Sequence, residues 1–304
     1  MLYVVIFTFP KMKKLIVFLS VLSLLVSCQK DKKQQADGGK PVITVSILPQ
    51  KTFVGKIAGD DFKVNVLIPP GASPAAYTLL PSQLKDIANS AAWFRIGYIG
   101  FEYSWKEKIS QANKNMKVYD LSEGLDLIKG NPEHSAEQGL QNNAGVDPHV
   151  WLSPPMVKKM AKKIRDILSE LYPENAQKYM SGYVEFIKEA DQVDVEIKKI
   201  LQGCEGKKMI VFHPSFTYFA RDYGLKQVSL ESGGKEPTPQ HLKEVVDLAE
   251  KENIRIVYIQ TELDLEQARV FAEEINGEII QISPLDPDWS NNLIKLATTL
   301  RDNF

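Results

Sequence analysis

Of the four histidines in this chain, two sit where an imidazole could serve as a metal ligand. His149 lies in Asp147-Pro148-His149-Val150-Trp151-Leu152-Ser153-Pro154, where a polar loop meets a helix. His213 follows an apolar strand directly, in Val211-Phe212-His213-Pro214-Ser215-Phe216. The neighbouring proline in each segment restricts the backbone, so the ring projects from a fixed point. Neutral imidazole is the commonest nitrogen ligand for zinc, at about 2.0–2.1 Å. A single histidine of this kind is often only a hydrogen-bonded structural residue. Two of them, proline-flanked and in different halves of the chain, point to a shared nitrogen-donor site. His134, between Glu133 and Glu137, reads as a solvated loop residue, and His241, among Gln240, Lys243 and Glu244, as a helix-surface one. Two nitrogens fall short of the three or four protein ligands of ordinary zinc sites. Glu102, Glu231, Asp286 and Tyr77 are the candidates to complete the shell, and the sequence does not rank them. Catalysis has less support. The chain lacks His-Glu-x-x-His, Gly-x-Ser-x-Gly and a glycine-rich phosphate loop, and Ser215 beside His213 makes no triad. An exported hydrolase is therefore disfavoured, and a binding protein that is not an enzyme is expected.

The elements that must carry these histidines follow an α/β rhythm. Residues 42–48, rich in β-branched side chains, predict a buried strand. A short helix over 53–58, a strand over 64–68, a helix over 81–89, a strand over 93–96, a helix over 101–112 and a strand over 118–121 follow. Residues 130–146 are polar and aperiodic, hence a loop. After residue 203 the alternation restarts. Strands are expected at 208–212, 227–230, 254–259 and 278–282, and helices at 215–223, 239–251, 265–275 and 291–301. Strands alternating with helices predict parallel, helix-covered sheets. Between these halves Tyr179, Tyr183, Phe186, Ala190, Val193, Ile197 and Ile200 recur at helical spacing. They predict one helix over 174–202 with a single apolar seam, longer than about 40 Å at about 1.5 Å per residue. The fold expected is α/β: two lobes, each a small parallel sheet flanked by helices, joined by one long rigid helix. The boundaries are 41–172 for the first lobe, 173–202 for the linking helix and 203–304 for the second lobe. A ligand of such a molecule belongs in the cleft beyond the carboxyl ends of the strands.

The N-terminus predicts export. Lys11, Lys13 and Lys14 precede an apolar stretch over 15–26, whose length suits a secretory signal of about 7–15 apolar residues rather than a span of about 20. It ends in Leu25-Val26-Ser27-Cys28, a sequence resembling a bacterial lipobox, so residues 1–28 read as a lipoprotein signal peptide with Cys28 the lipidated residue. Met12 is an alternative start. Residues 29–40, rich in Lys, Gln, Asp and Gly, read as a flexible tether. With Cys28 consumed by lipid, Cys204 has no partner for an intramolecular disulfide, and it reads as a packing residue. A formal net charge of −1 gives no global field toward nucleic acid, which is excluded as a partner.

Three segments resemble the zinc/manganese family of ABC-importer solute-binding lipoproteins. They are Pro69-Pro70-Gly71-Ala72-Ser73-Pro74, Asp147-Pro148-His149-Val150-Trp151-Leu152, and Val211-Phe212-His213-Pro214 with Tyr218. Gly100-Phe101-Glu102 and Glu236-Pro237-Thr238-Pro239 are similar to further family segments. The resemblance runs in order from Ile43 to the C-terminus. It implies Zn2+ or Mn2+ as transported cargo, held between the lobes by His149 and His213. It also implies an ABC permease and ATPase as partners, a cell-envelope location facing the periplasm where there is one, membrane attachment through the N-terminal lipid, and a monomer. The departures from the family pattern are definite. Where members place a ligand histidine after the Gly-x-x-Pro turn, this chain has Ala75; where they place an aspartate in Asp-Pro-Leu, it has Ser283-Pro284-Leu285. Alanine offers no donor and serine a poor one. Asp286 could stand in for the aspartate. The same residues allow an alternative, a degenerate member holding a metal chelate, another small ligand or a partner protein.

Overall fold

Two parallel sheets carry the molecule. The computed structural model describes residues 39–74, 77–129, 145–231 and 237–304. The expectations for residues 1–28, for most of the tether, for the loop holding His134, and for Ala75 and Glu236 lie outside these residues. In the first sheet, β1 (Val42–Val45), β2 (Lys63–Val66), β3 (Ser90–Arg95) and β4 (Lys117–Asp120) run in the order β2-β1-β3-β4. In the second, β5 (Lys208–Val211), β6 (Lys226–Ser229), β7 (Ile256–Gln260) and β8 (Glu278–Ile282) repeat the arrangement as β6-β5-β7-β8. Every pairing is parallel, with Val45 opposite Phe94 in the first sheet and Val211 opposite Tyr258 in the second. Parallel strands need crossovers. Helices α1 (Leu48–Ala58), α2 (Pro81–Ala88) and α3 (Gly100–Ala112) supply them in the first lobe. Helices α6 (Thr217–Asp222), α7 (Pro239–Glu252) and α8 (Glu266–Glu274) do so in the second.

Helices α4 (Pro154–Leu171) and α5 (Ala176–Ile200) lie between the two series, and α9 (Trp289–Asp302) closes the chain. Ser153 caps α4 by accepting from the Met156 amide at 3.3 Å, and two prolines follow in its first turn, where a missing N–H costs nothing. Helix α5 is the long helix of the seam. Its Tyr179, Phe186, Ala190, Val193 and Ile197 are buried, whereas Tyr183 and Ile200 are half-buried. It is shorter than expected, 25 residues or about 37 Å at about 1.5 Å per residue, because Pro173–Asn175 forms a separate 3-10 turn before it. It packs on α4 and α1 on one side and on α9 on the other.

One hydrophobic core runs through both sheets. Ile43 and Phe94 of the first belong to the same buried cluster as Met209, Val211 and Tyr258 of the second. At its centre Phe53 of α1, Phe186 of α5 and Trp289 of α9 stack with ring centres 5.5, 5.6 and 6.0 Å apart. A second, smaller cluster around Ile210, Val257 and Phe271 fills the space under α7 and α8. Among the described residues no helix is long and apolar enough to cross a membrane.

Candidate functional site

The carboxyl ends of the second sheet deliver polar side chains toward the first lobe. His213 lies two residues past β5, Glu231 two past β6, Thr261 and Glu262 directly past β7, and Ser283 directly past β8. His149 arrives differently, at the entry to a 3-10 turn (Val150–Leu152) just before α4. The two imidazoles meet with ring centres 5.4 Å apart and planes at 72°. His149 Nδ1 is 2.9 Å from Asp147 Oδ1, and His213 Nδ1 is 2.6 Å from Glu231 Oε2. A carboxylate only accepts, so in the neutral ring Nδ1 carries the proton and Nε2 keeps its lone pair. The side chains of His149 and His213 are 13% and 26% exposed, enough for an ion to reach them.

Each ring has a backbone clamp. The Asp147 carboxylate also accepts the His149 amide at 2.8 Å, so side chain and main chain of His149 share one anchor. Burial alone would raise the Asp147 carboxyl. The His149 charge, with hydrogen bonds from His149 and Thr217, outweighs it and holds Asp147 below the usual carboxylate range. For His213 the clamp is Gln260, which sequence reasoning missed. Its Nε2 donates to the His213 carbonyl at 2.7 Å and to Ser215 Oγ at 3.2 Å, while Oε1 accepts the His213 amide at 3.3 Å. Gln260 ends a strand and is 3% exposed, and a lone buried amide at a strand end was the available signal.

The other candidates separate. Glu231 joins the pair, but through the far nitrogen of His213, as the group that orients the ring. Glu102 is fully buried and its oxygens are already engaged by the Ser46 hydroxyl, by the Ile96 and Gly97 amides at 2.7 Å each, and by Arg95 at 3.4 Å. That carboxylate holds the turn after β3 and is not brought to the histidines. Tyr77 donates its hydroxyl to Gln83 at 2.9 Å. Asp286 lines a crevice of about 130 Å3 between the lobes, together with Pro69, Pro70 and Gly71, and this crevice does not include the imidazoles in its walls. Glu262, unforeseen, lines it too. Its Oε2 is buried without a hydrogen-bond partner among the described residues, and burial, with the Asp286 charge adding to it, raises its carboxyl. His241 is structural as expected, its Nε2 bonded to the Ser229 carbonyl at 2.9 Å. Among the described residues no three His, Cys, Asp or Glu side chains are grouped to hold a metal ion.

Two parallel-sheet lobes beside a long helix, with a crevice between them, are the architecture of a bilobal solute-binding protein. The chain belongs to the ZnuA family: the model of the zinc-uptake complex component A, periplasmic, matches residues 43–303. This is a family of solute-binding components of zinc and manganese ABC importers, a transport family and not an enzyme family. A crystal structure of ZnuA superposes with a TM-score of 0.79 at 37% identity, covering 87% of this chain and 99% of that one. A zinc-bound ZnuA lacking residues 138–173 of its own numbering gives 0.80 at 37% identity, covering 87% and 98%. The zinc-binding lipoprotein AdcA of Streptococcus pneumoniae is 28% identical over 287 residues, which are 90% of this chain and 56% of AdcA. The chain thus spans about half the length of AdcA.

Proposed function

We propose that this chain captures a divalent transition metal, zinc in the first place and manganese in the second, between His149 and His213, and hands it to an ABC permease driven by its ATPase. The observation that carries this reading is the spacing of the two rings. A zinc ion about 2.0–2.1 Å from one nitrogen of each ring, at a tetrahedral angle, sets ring centres about 5 Å apart. The observed 5.4 Å is compatible with that spacing. The carboxylate on each Nδ1 supports it further, because such partners fix the tautomer and raise the basicity of a ligand histidine. Glu262 and Asp286, on the same face of the second lobe, are the carboxylates available to complete the shell if the crevice closes on the ion. The zinc-bound ZnuA relative supports zinc as the cargo. Lipidation at Cys28 is part of the same proposal, as is tethering of a monomer to the envelope by residues 29–40 and division of work between residues 41–172 and 203–304 about the helix at 173–202. The naming of AdcA as a lipoprotein supports the anchor.

The test is a thermal shift of metal-free protein across a divalent-metal panel. Linkage predicts a rise of about 2.7 kcal/mol at a hundredfold excess over Kd, seen as a higher Tm with zinc. His149→Ala and His213→Ala should each reduce it sharply. A panel with no shift, and variants no different from the parent, would remove the reading. A second reading has its own support: with Ala75 and Ser283 at family ligand positions and no three-ligand group among the described residues, the cargo is a metal chelate or another small ligand. Elemental analysis together with native mass spectrometry of protein purified without chelators separates the two, since only the first predicts one bound metal per chain with no accompanying organic ligand.

A further inference from the structure

The two ring clamps are not independent, because a single residue of the second lobe reaches the anchor of the first lobe's histidine. Tyr218 lies on α6, five residues after His213, and is fully buried. Its hydroxyl donates to the Asp147 carbonyl at 2.9 Å and accepts the Ile128 amide at 3.0 Å. Those two residues are themselves joined, the Asp147 amide donating to the Ile128 carbonyl at 3.0 Å. Thr217, the residue before it, accepts from Gln227 at 3.0 Å through its hydroxyl. Asp147 in turn holds both the amide and the ring of His149. One short segment, 213–218, therefore carries one imidazole at its start and, at its end, the Tyr218 hydroxyl that holds the other imidazole's anchor.

We propose that Tyr218 is a positioning residue that sets the spacing between His149 and His213 across the lobe boundary. This rests on the metal reading for its purpose, though not for its geometry. A phenol suits the task because it is stiff. Its hydroxyl is fixed by two torsions of a side chain packed on every face, with the Arg221 guanidinium 5.1 Å over the ring. It meets one donor and one acceptor, matching its own capacity. Without the oxygen, the Asp147 carbonyl and Ile128 amide would lose the group that bridges them, and Asp147 would lose its main-chain hydrogen bond from the second lobe.

The experiment compares Tyr218→Phe with Tyr223→Phe. Tyr223 is a second buried tyrosine, 6% exposed, whose hydroxyl donates to Asp194 on α5 at 3.1 Å and does not touch Asp147. Both variants should lose thermal stability. Zinc affinity is read by competition with a chromophoric chelator, and ring geometry by the visible spectrum of the Co2+-loaded protein. Tyr218→Phe should bind zinc roughly 10–100-fold more weakly and shift the cobalt bands, whereas Tyr223→Phe should match the parent in both. Parent-like affinity and bands in Tyr218→Phe overturn the proposal, as does an equal loss in both variants. If the parent itself binds neither ion, the metal reading falls and the metal-free protein decides the positioning claim. His149 ring resonances moved by Tyr218→Phe but not by Tyr223→Phe support it, and unmoved resonances overturn it.

Discussion

Glu262 shows what a single residue in the crevice costs the fold. Burial disfavours its charged form, and the nearby Asp286 charge disfavours it further, so its carboxyl lies above the ordinary value of 4.5. The folded chain therefore binds this proton more tightly than the unfolded chain does. That contribution to stability is fully present below about pH 4.5 and is lost as pH rises through the folded value. At neutral pH the group works against folding. Glu262→Gln should accordingly raise the Tm of the metal-free protein by about 1–3 °C at pH 7, with the gain vanishing below about pH 4.5 in a pH series of melting curves. A residue kept at such a cost in an inter-lobe crevice suits a cation that neutralises it. Glu262 was invisible in the sequence because its setting depends on β7 and β8 ending side by side, a pairing no local pattern encodes. His149 and His213 were legible because proline-flanked histidines are rare in any chain. For Glu102 the sequence left two roles open: a carboxylate at a helix start can serve a ligand or the backbone amides beside it, and here the Ile96 and Gly97 amides and Arg95 engage it.

At the scale of elements, α5 depends on one close approach. Gly182 faces the end of α1, where an added Cβ would stand 2.3 Å from the Ile57 carbonyl oxygen and 2.8 Å from that of Lys56. Backbone atoms cannot swing aside as a side chain tip can. Gly182→Ala gains about 1 kcal/mol of helix propensity but forces the two helices apart. A net loss of about 1–3 kcal/mol is expected in the denaturant midpoint, and an unchanged or higher midpoint would show that the contact yields. Element types were readable because hydrophobic period distinguishes strand from helix. Boundaries were less so: the first strand ends at Val45 rather than Leu48, because α1 begins at Leu48 with Pro49 in its first turn. The seam gave α5 its buried face, but the 3-10 turn at Pro173–Asn175 shortened it. Only the helix start at Pro154, with its Ser153 cap, explains how His149 is presented, since the preceding turn must finish before the cap.

Across the whole molecule, the lobes share one interior. The Trp151 indole donates to the Pro284 carbonyl at 2.7 Å, and the Trp289 indole donates to the Trp151 carbonyl at 2.6 Å, so first-lobe and second-lobe chains are stitched beside the core that Phe53, Phe186 and Trp289 fill. Wide opening about a hinge would break these bonds and expose those rings. The geometry instead favours small rotations that leave the His149–His213 spacing nearly preset, which suits capture of an ion rather than of a large solute. The central claim is that one ion bridges an imidazole from each half of the molecule. X-ray absorption at the zinc edge of the protein loaded with one equivalent tests this most directly. Two imidazole scatterers at about 2.0–2.1 Å are expected, falling to one in His149→Ala and in His213→Ala alike. A zinc shell without imidazole, or one unchanged by either substitution, would contradict it.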